Sequence, residues 1–118
     1  MEFYFEKMEV WQNSRSFVKE IYVLTADFPQ DEKYGIVSQL RRAALSISAN
    51  IAEGMSRKTE KDKARFISIS FSSAMEVINF LVLANDLDLI KESDYTILRE
   101  KLEKITNQLN SLHNKLRR

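Results

Sequence analysis

Apolar positions along this chain recur at helical spacing in four successive segments. In the first, Val10, Phe17 and Leu24 repeat every seven residues, Trp11 and Val18 do the same, and Ile21 and Phe28 continue a neighbouring row. This makes one apolar stripe from about residue 9 to 28, which Pro29 ends because it disfavours helix at the residue before it. After the connection "PQDEKYG", Ile36, Leu40, Ala43, Ala44, Ile47 and Ile51 share the face of a second helix. That helix runs to Gly54, placed like a helix C-terminal glycine. A third helix is expected after Thr59, whose hydroxyl suits an N-cap, with Glu60 and Asp62 favourably placed in the first turn. It extends to about Leu87. The fourth begins near Ser93, and Tyr95, Leu98, Leu102, Ile105, Leu109, Leu112 and Leu116 alternate steps of three and four without a break. Amphipathic helices joined by short connections pack as antiparallel neighbours. The expected fold is therefore all-α: an antiparallel up-down-up-down four-helix bundle forming a single domain, residues 1–118.

The third helix departs from simple amphipathicity. At about 100° per residue, Ile67, Ser70, Ala74, Val77, Ile78 and Leu81 face the bundle. Ile69, Phe80, Leu83 and Leu87 fall on the other side, together with Ser72 and Glu76. Scattered surface apolar residues need no cover. These are large and roughly aligned, however, and a helix that is apolar on two sides calls for burial on both. A homo-oligomer is expected, with Ile69, Ser72, Glu76, Phe80, Leu83 and Leu87 at its interface.

Composition narrows the function classes. Two glycines and one proline suit helices with short connections rather than sandwiches or hairpins. With no cysteine there is no disulfide framework, thiolate chemistry or cysteine–zinc site, which fits a cytoplasmic location. The opening "MEFYFEKMEVW" lacks the basic n-region of a signal peptide. Residues 66–85 are long enough to span a bilayer, but four serines, Asn79 and Glu76 argue against it, so no membrane partner is expected.

The net charge of +1 hides an uneven layout: residues 36–65 carry +4 and residues 91–118 carry +3, whereas residues 1–35 and 66–90 each carry −3. Local clusters, not the total, are what a nucleic acid or an acidic partner would meet.

No catalytic set emerges, and no metal ligands or cofactor are expected. His113 is the only histidine, and nothing in the sequence places a nucleophile or an orienting group beside it. Glu76 and Asp86 lie ten residues apart, about 15 Å along a helix, too far to share one task. Glu76 does lie level with Arg41 and Arg42 across an antiparallel helix pair, and a partly buried glutamate needs such a cation. The two arginines can thus serve an interface ion pair, face a ligand, or form a solvated helix back. The stretch "RKTEKDKAR" supplies a further candidate phosphate-binding set of Arg57, Lys58, Lys61, Lys63 and Arg65. Its alternative is a solvated helix connection. No aromatic residue sits among these bases to stack a nucleobase.

The stretches "FEKMEVWQ", "FPQDEKYGIVSQLRRAALSISANIAEGMSRKT" and "ARFISISFSSAMEV" resemble the proteins encoded in intervening sequences of bacterial 23S ribosomal RNA genes, also called S23 ribosomal proteins. "QLRRAALSISANIAEG" is the most specific part, with Ser48 standing where that family usually has proline. The resemblance implies a four-helix bundle assembled as a ring of five and kinship with nucleic-acid-binding accessory proteins of diversity-generating retroelements. It attaches no catalytic activity, and its motif positions are Arg41, Arg42, Asn50, Glu53 and Gly54. The function expected is a non-enzymatic oligomeric bundle that binds RNA or DNA electrostatically through Arg41, Arg42 and the 57–65 bases. The alternative is an assembly or adaptor protein that docks a protein partner.

Overall fold

A computed structural model describes residues 1–117. Four α-helices carry the fold: α1 (Glu9–Ala26), α2 (Ser38–Met55), α3 (Glu60–Asp86) and α4 (Glu92–Leu116), in a body 43 × 26 × 20 Å. A 3₁₀ turn, Tyr4–Lys7, precedes α1.

Local chemistry sets the boundaries. Helix α1 stops short of Pro29, at Ala26, and Phe28 folds back into the core. The connection to α2 is not open loop. It winds through a 3₁₀ turn, Gln30–Glu32, and one wide π-type turn, Lys33–Val37, in which only Gly35 leaves helical geometry. The Thr59 hydroxyl accepts from the Asp62 amide at 3.1 Å, as an N-cap should. Helix α3 ends in a Schellman motif: the Leu89 amide donates to the Ala84 carbonyl at 2.9 Å and the Asp88 amide to Asn85 at 3.1 Å. Asp88 holds the left-handed position with φ 59°, where glycine is the usual occupant.

Cross-helix pairs give the topology. Between α2 and α3, Arg42 meets Glu76 at 2.5 Å, Ser46 meets Ser73 at 2.7 Å, and the Ser70 hydroxyl donates to the Ile47 carbonyl at 2.8 Å. Rising numbers on α2 face falling numbers on α3, so the pair is antiparallel. Asn13 with Gln108 (2.9 Å) and Glu20 with Lys101 set α1 antiparallel to α4. The core they enclose includes Phe17, Ile21, Leu40, Ile47, Ile51, Ile67, Leu81, Leu102, Ile105 and Leu109, all fully buried. The bundle read from the hydrophobic pattern is thus present, with its apolar stripes facing inward.

One glycine has a different job from the one expected. Gly54 lies inside α2, and no glycine adopts positive φ. A Cβ at Gly54 would sit 2.7 Å from the Phe66 Cβ, so this residue permits α2 and α3 to close on each other. Phe80, expected on the outer side of α3, is half-buried and packs against the core as well.

Two substitutions should therefore move stability in opposite directions. Gly54→Ala, which would gain helix propensity at an open site, should instead lower stability by about 1–3 kcal/mol through overpacking against Phe66. Asp88→Gly should raise it by about 1 kcal/mol by relieving a non-glycine residue of the left-handed conformation. Urea denaturation followed by circular dichroism measures both, and a stabilised Gly54→Ala protein would contradict the close approach.

Candidate nucleic-acid interface and outer face

The two adjacent arginines of α2 part company. Arg41 turns back to α1, where its Nε donates to the Thr25 hydroxyl at 2.9 Å and its Nη2 to the Tyr22 carbonyl at 3.3 Å. Its guanidinium also lies over the Tyr22 ring at 4.4 Å. A cation near the C-terminal end of α1 opposes the helix dipole. Arg42 instead reaches α3, binding Glu76 while also donating to Gln39 at 3.2 Å. The Arg42–Glu76 side chains are 53% and 45% exposed, so within one chain this is a surface pair. Glu76 is paired, as its level beside the arginines suggested, and its partner is Arg42.

The remaining positions of the "ANIAEG" motif also look to neighbouring residues. Asn50 donates to the Ser46 carbonyl at 2.8 Å and to the Ser46 hydroxyl at 3.0 Å, and Ser46 in turn meets Ser73 of α3. Glu53 pairs with Arg57 at 3.4 Å. Helix α2 continues through Ser48, whose hydroxyl donates to the Leu45 carbonyl at 3.0 Å.

The basic stretch lies at the end of the bundle formed by the close of α2 and the start of α3. Part of its charge is neutralised locally. Arg65 binds Asp62 at 3.1 Å, Lys63 faces Glu60 at 3.3 Å, and Arg57 approaches both Glu53 and Asp62. Arg57 and Arg65 also cover the Phe66 ring, at 4.4 and 4.6 Å. Lys58 and Lys61 are exposed and, among the described residues, stand in no ion pair. Because α4 runs antiparallel to α1 and ends at this same level, Lys115 and Arg117 join them.

On the outer side of α3, Ile69 (39% exposed), Leu83 (42%) and Leu87 (60%) line up with the exposed Ser72 and Glu76. Met75 and Leu45 of α2 are also exposed. Leu45 is the residue the hydrophobic pattern left out. The signal for it was its spacing from Arg42 and Ala49, which places it on the back of α2 beside α3. Helix α3 is long and apolar enough to cross a membrane by length and composition, yet Ser70, Ser73 and Glu76 all bond to α2 within the bundle.

His113 is half-buried in a shallow cleft between α3 and α4, beside Ile67, Phe71 and Leu109. Among the described residues no group of three or more metal-ligating side chains gathers.

The 23S rRNA-intervening sequence protein family matches residues 6–111. The chain belongs to that family. A crystal structure from Bacteroides thetaiotaomicron, described as a protein with unknown function from the S23 ribosomal protein family, has the same fold. It superposes with a TM-score of 0.80 at 22% sequence identity, over 88% of this chain and 97% of the other. No curated protein matches the chain. Arg41, Arg42 and Gly54 look across to a neighbouring helix, whereas Asn50 and Glu53 pair with residues four positions away along the chain.

The division of labour between the arginines is testable. Arg41→Gln should cost about 1–3 kcal/mol of folding stability, because it removes charged hydrogen bonds to a partly buried helix end. Arg42→Gln should cost less than about 1 kcal/mol within the monomer, as expected for an exposed ion pair. Equal losses in urea denaturation would contradict the assignment.

Proposed function

We propose that this chain is a non-enzymatic homo-oligomer that binds RNA or DNA electrostatically at the basic end of its bundle. The observation that carries the binding reading is the gathering of Lys58 and Lys61 with Lys115 and Arg117 at one end. Phosphates there would meet cations with no carboxylate already claiming them. Arg57, Lys63 and Arg65 add positive potential from behind their ion pairs, whereas Arg41 and Arg42 are engaged inside the chain. Such a site reads backbone charge and carries little sequence preference.

The outer face of α3, extended by Leu45 of α2, supports assembly. Copies related by rotation would bury Ile69, Leu83 and Leu87, and a head-to-tail contact closes into a ring where the rotation between neighbours divides the full turn. A ring of five would repeat the basic end around one rim. The absence of cysteine suits a reducing cytoplasm for such a particle. A second reading, a protein-docking adaptor, draws on the same apolar face and on the local pairing of Arg57, Lys63 and Arg65. There the outer face would receive a different protein.

Light scattering should give wild-type protein a mass several times the 13.8 kDa of the chain. Leu83→Arg should reduce it to one chain by placing an unpaired charge in an apolar contact. A wild-type monomer at micromolar concentration would contradict assembly. Nucleic-acid affinity should fall steeply with salt, each neutralised phosphate adding about 0.7–0.9 to the log–log slope. Replacing Lys58, Lys61 and Lys63 together by Ala should flatten that slope with the oligomer intact. No binding by wild type at about 50 mM salt would favour the adaptor.

A further inference from the structure

The first residues of the chain form an ordered aromatic stack. Phe3 and Phe5 are nearly parallel, 7° apart with ring centroids at 6.2 Å, and Phe5 meets the edge of Trp11 at 5.0 Å. The turn that carries them is tied down. The Phe3 amide donates to the Glu6 carboxylate at 2.9 Å, the Glu6 amide to the Phe3 carbonyl at 3.1 Å, and the Gln12 side chain to the Glu6 carbonyl at 2.9 Å. Yet Phe3 is 59% exposed and Tyr4 is 70% exposed, and neither belongs to the core. The Phe3 ring, held against Phe5 but open to water, makes a surface for another flat ring at little further cost in entropy, and the exposed Tyr4 is the next residue along the same turn.

The register of α1 on α2 places this surface. Arg41 bonds to Tyr22 and Thr25 in an antiparallel pair, so the turn at Tyr4–Lys7 lies level with the connection after Met55, and it packs on α2. That connection begins the basic stretch. Aromatic platform and unpaired lysines, far apart in sequence, thus share one end of the bundle. Glu2 is the carboxylate there with no described partner. Glu6 is spent on the turn, and Glu53, Glu60 and Asp62 on their own cations.

We propose that this end is a site for single-stranded nucleic acid, in which Phe3 and Tyr4 stack unpaired bases while Lys58 and Lys61 hold the adjoining phosphates. The proposal rests on the nucleic-acid reading above and narrows its substrate class. A duplex offers the lysines its phosphates but hides its base faces, whereas a single strand presents both. Stacking on aromatic side chains tolerates any base, so the preference is for strandedness and not for sequence.

The test is a titration of the full chain with a fluorescently labelled single-stranded RNA and with the matching duplex, at several salt concentrations. Wild type is expected to bind the single strand about tenfold or more tightly than the duplex. The double variant Phe3→Ala/Tyr4→Ala is expected to weaken single-strand binding by at least that factor, leaving duplex affinity and the salt slope unchanged. Unchanged duplex affinity in the double variant excludes a folding defect as the cause, and Tyr4→Phe, which keeps the stacking face, should retain wild-type binding. Lys58→Ala/Lys61→Ala should weaken both forms and flatten both slopes. Equal affinity for the two forms, or an aromatic variant that binds the single strand like wild type, overturns the platform while leaving the electrostatic reading in place. Absence of binding to either form by wild type overturns both.

Discussion

The approach of α2 to α3 at Gly54 and Phe66 is the constraint on which the rest of the structure depends. With no side chain at Gly54, the Phe66 Cβ comes within contact distance of α2 itself, and Arg57 and Arg65 then cover the ring. Small residues continue the seam. Ala43, Ser70, Ser73 and Ala74 are all buried, and three side-chain hydrogen bonds, at Ser70, at the Ser46–Ser73 pair and at Arg42–Glu76, cross it. Helices that meet through small side chains pack close enough for α2 and α3 to form the most extensive pair in the bundle. Helices α1 and α4 complete the core against this pair with larger side chains such as Phe17, Leu102 and Leu109.

Two consequences follow for function. The α2 stretch from the paired arginines to Gly54 is spent on architecture: Arg41 bonds to α1, Arg42 reaches α3, Asn50 orders Ser46, and Gly54 admits Phe66. A ligand therefore has more to grip at the end of the bundle than along the α2 motif. The tight α2–α3 pair also turns a second face of α3 outward, where Ile69, Leu83 and Leu87 stand in water within one chain. Charge and apolar area are thus segregated, with cations at one end and aliphatic side chains along one flank.

Most of the fold was legible in the sequence because apolar periodicity of three and four acts directly on helix packing. The unbroken row from Tyr95 to Leu116 and the cap at Thr59 needed no tertiary information. The level of Glu76 beside Arg42 was also readable, since an antiparallel pair with a short connection fixes register. What escaped was whatever depends on distance between chain segments. Gly54 resembles a terminal glycine in sequence, and only the position of Phe66 shows its role. Phe80 has an outward spacing, yet it is half-buried against the core. The basic stretch contains no aromatic residue, and its platform comes from Phe3 and Tyr4, brought there by the antiparallel return of α2 along α1. Local pairing of Arg57, Lys63 and Arg65 likewise rests on side-chain reach.

Native-state hydrogen exchange tests the central claim most directly, because it ranks segments by the free energy of opening them. If the α2–α3 seam is the spine of the molecule, the slowest amides lie in the buried middle turns of α2 and α3, around Ala43–Ile51 and Ile67–Leu81. Helices α1 and α4 should exchange through openings of lower free energy that leave the seam intact. Slowest exchange in α1 or α4, with α2 and α3 opening first, would contradict the account.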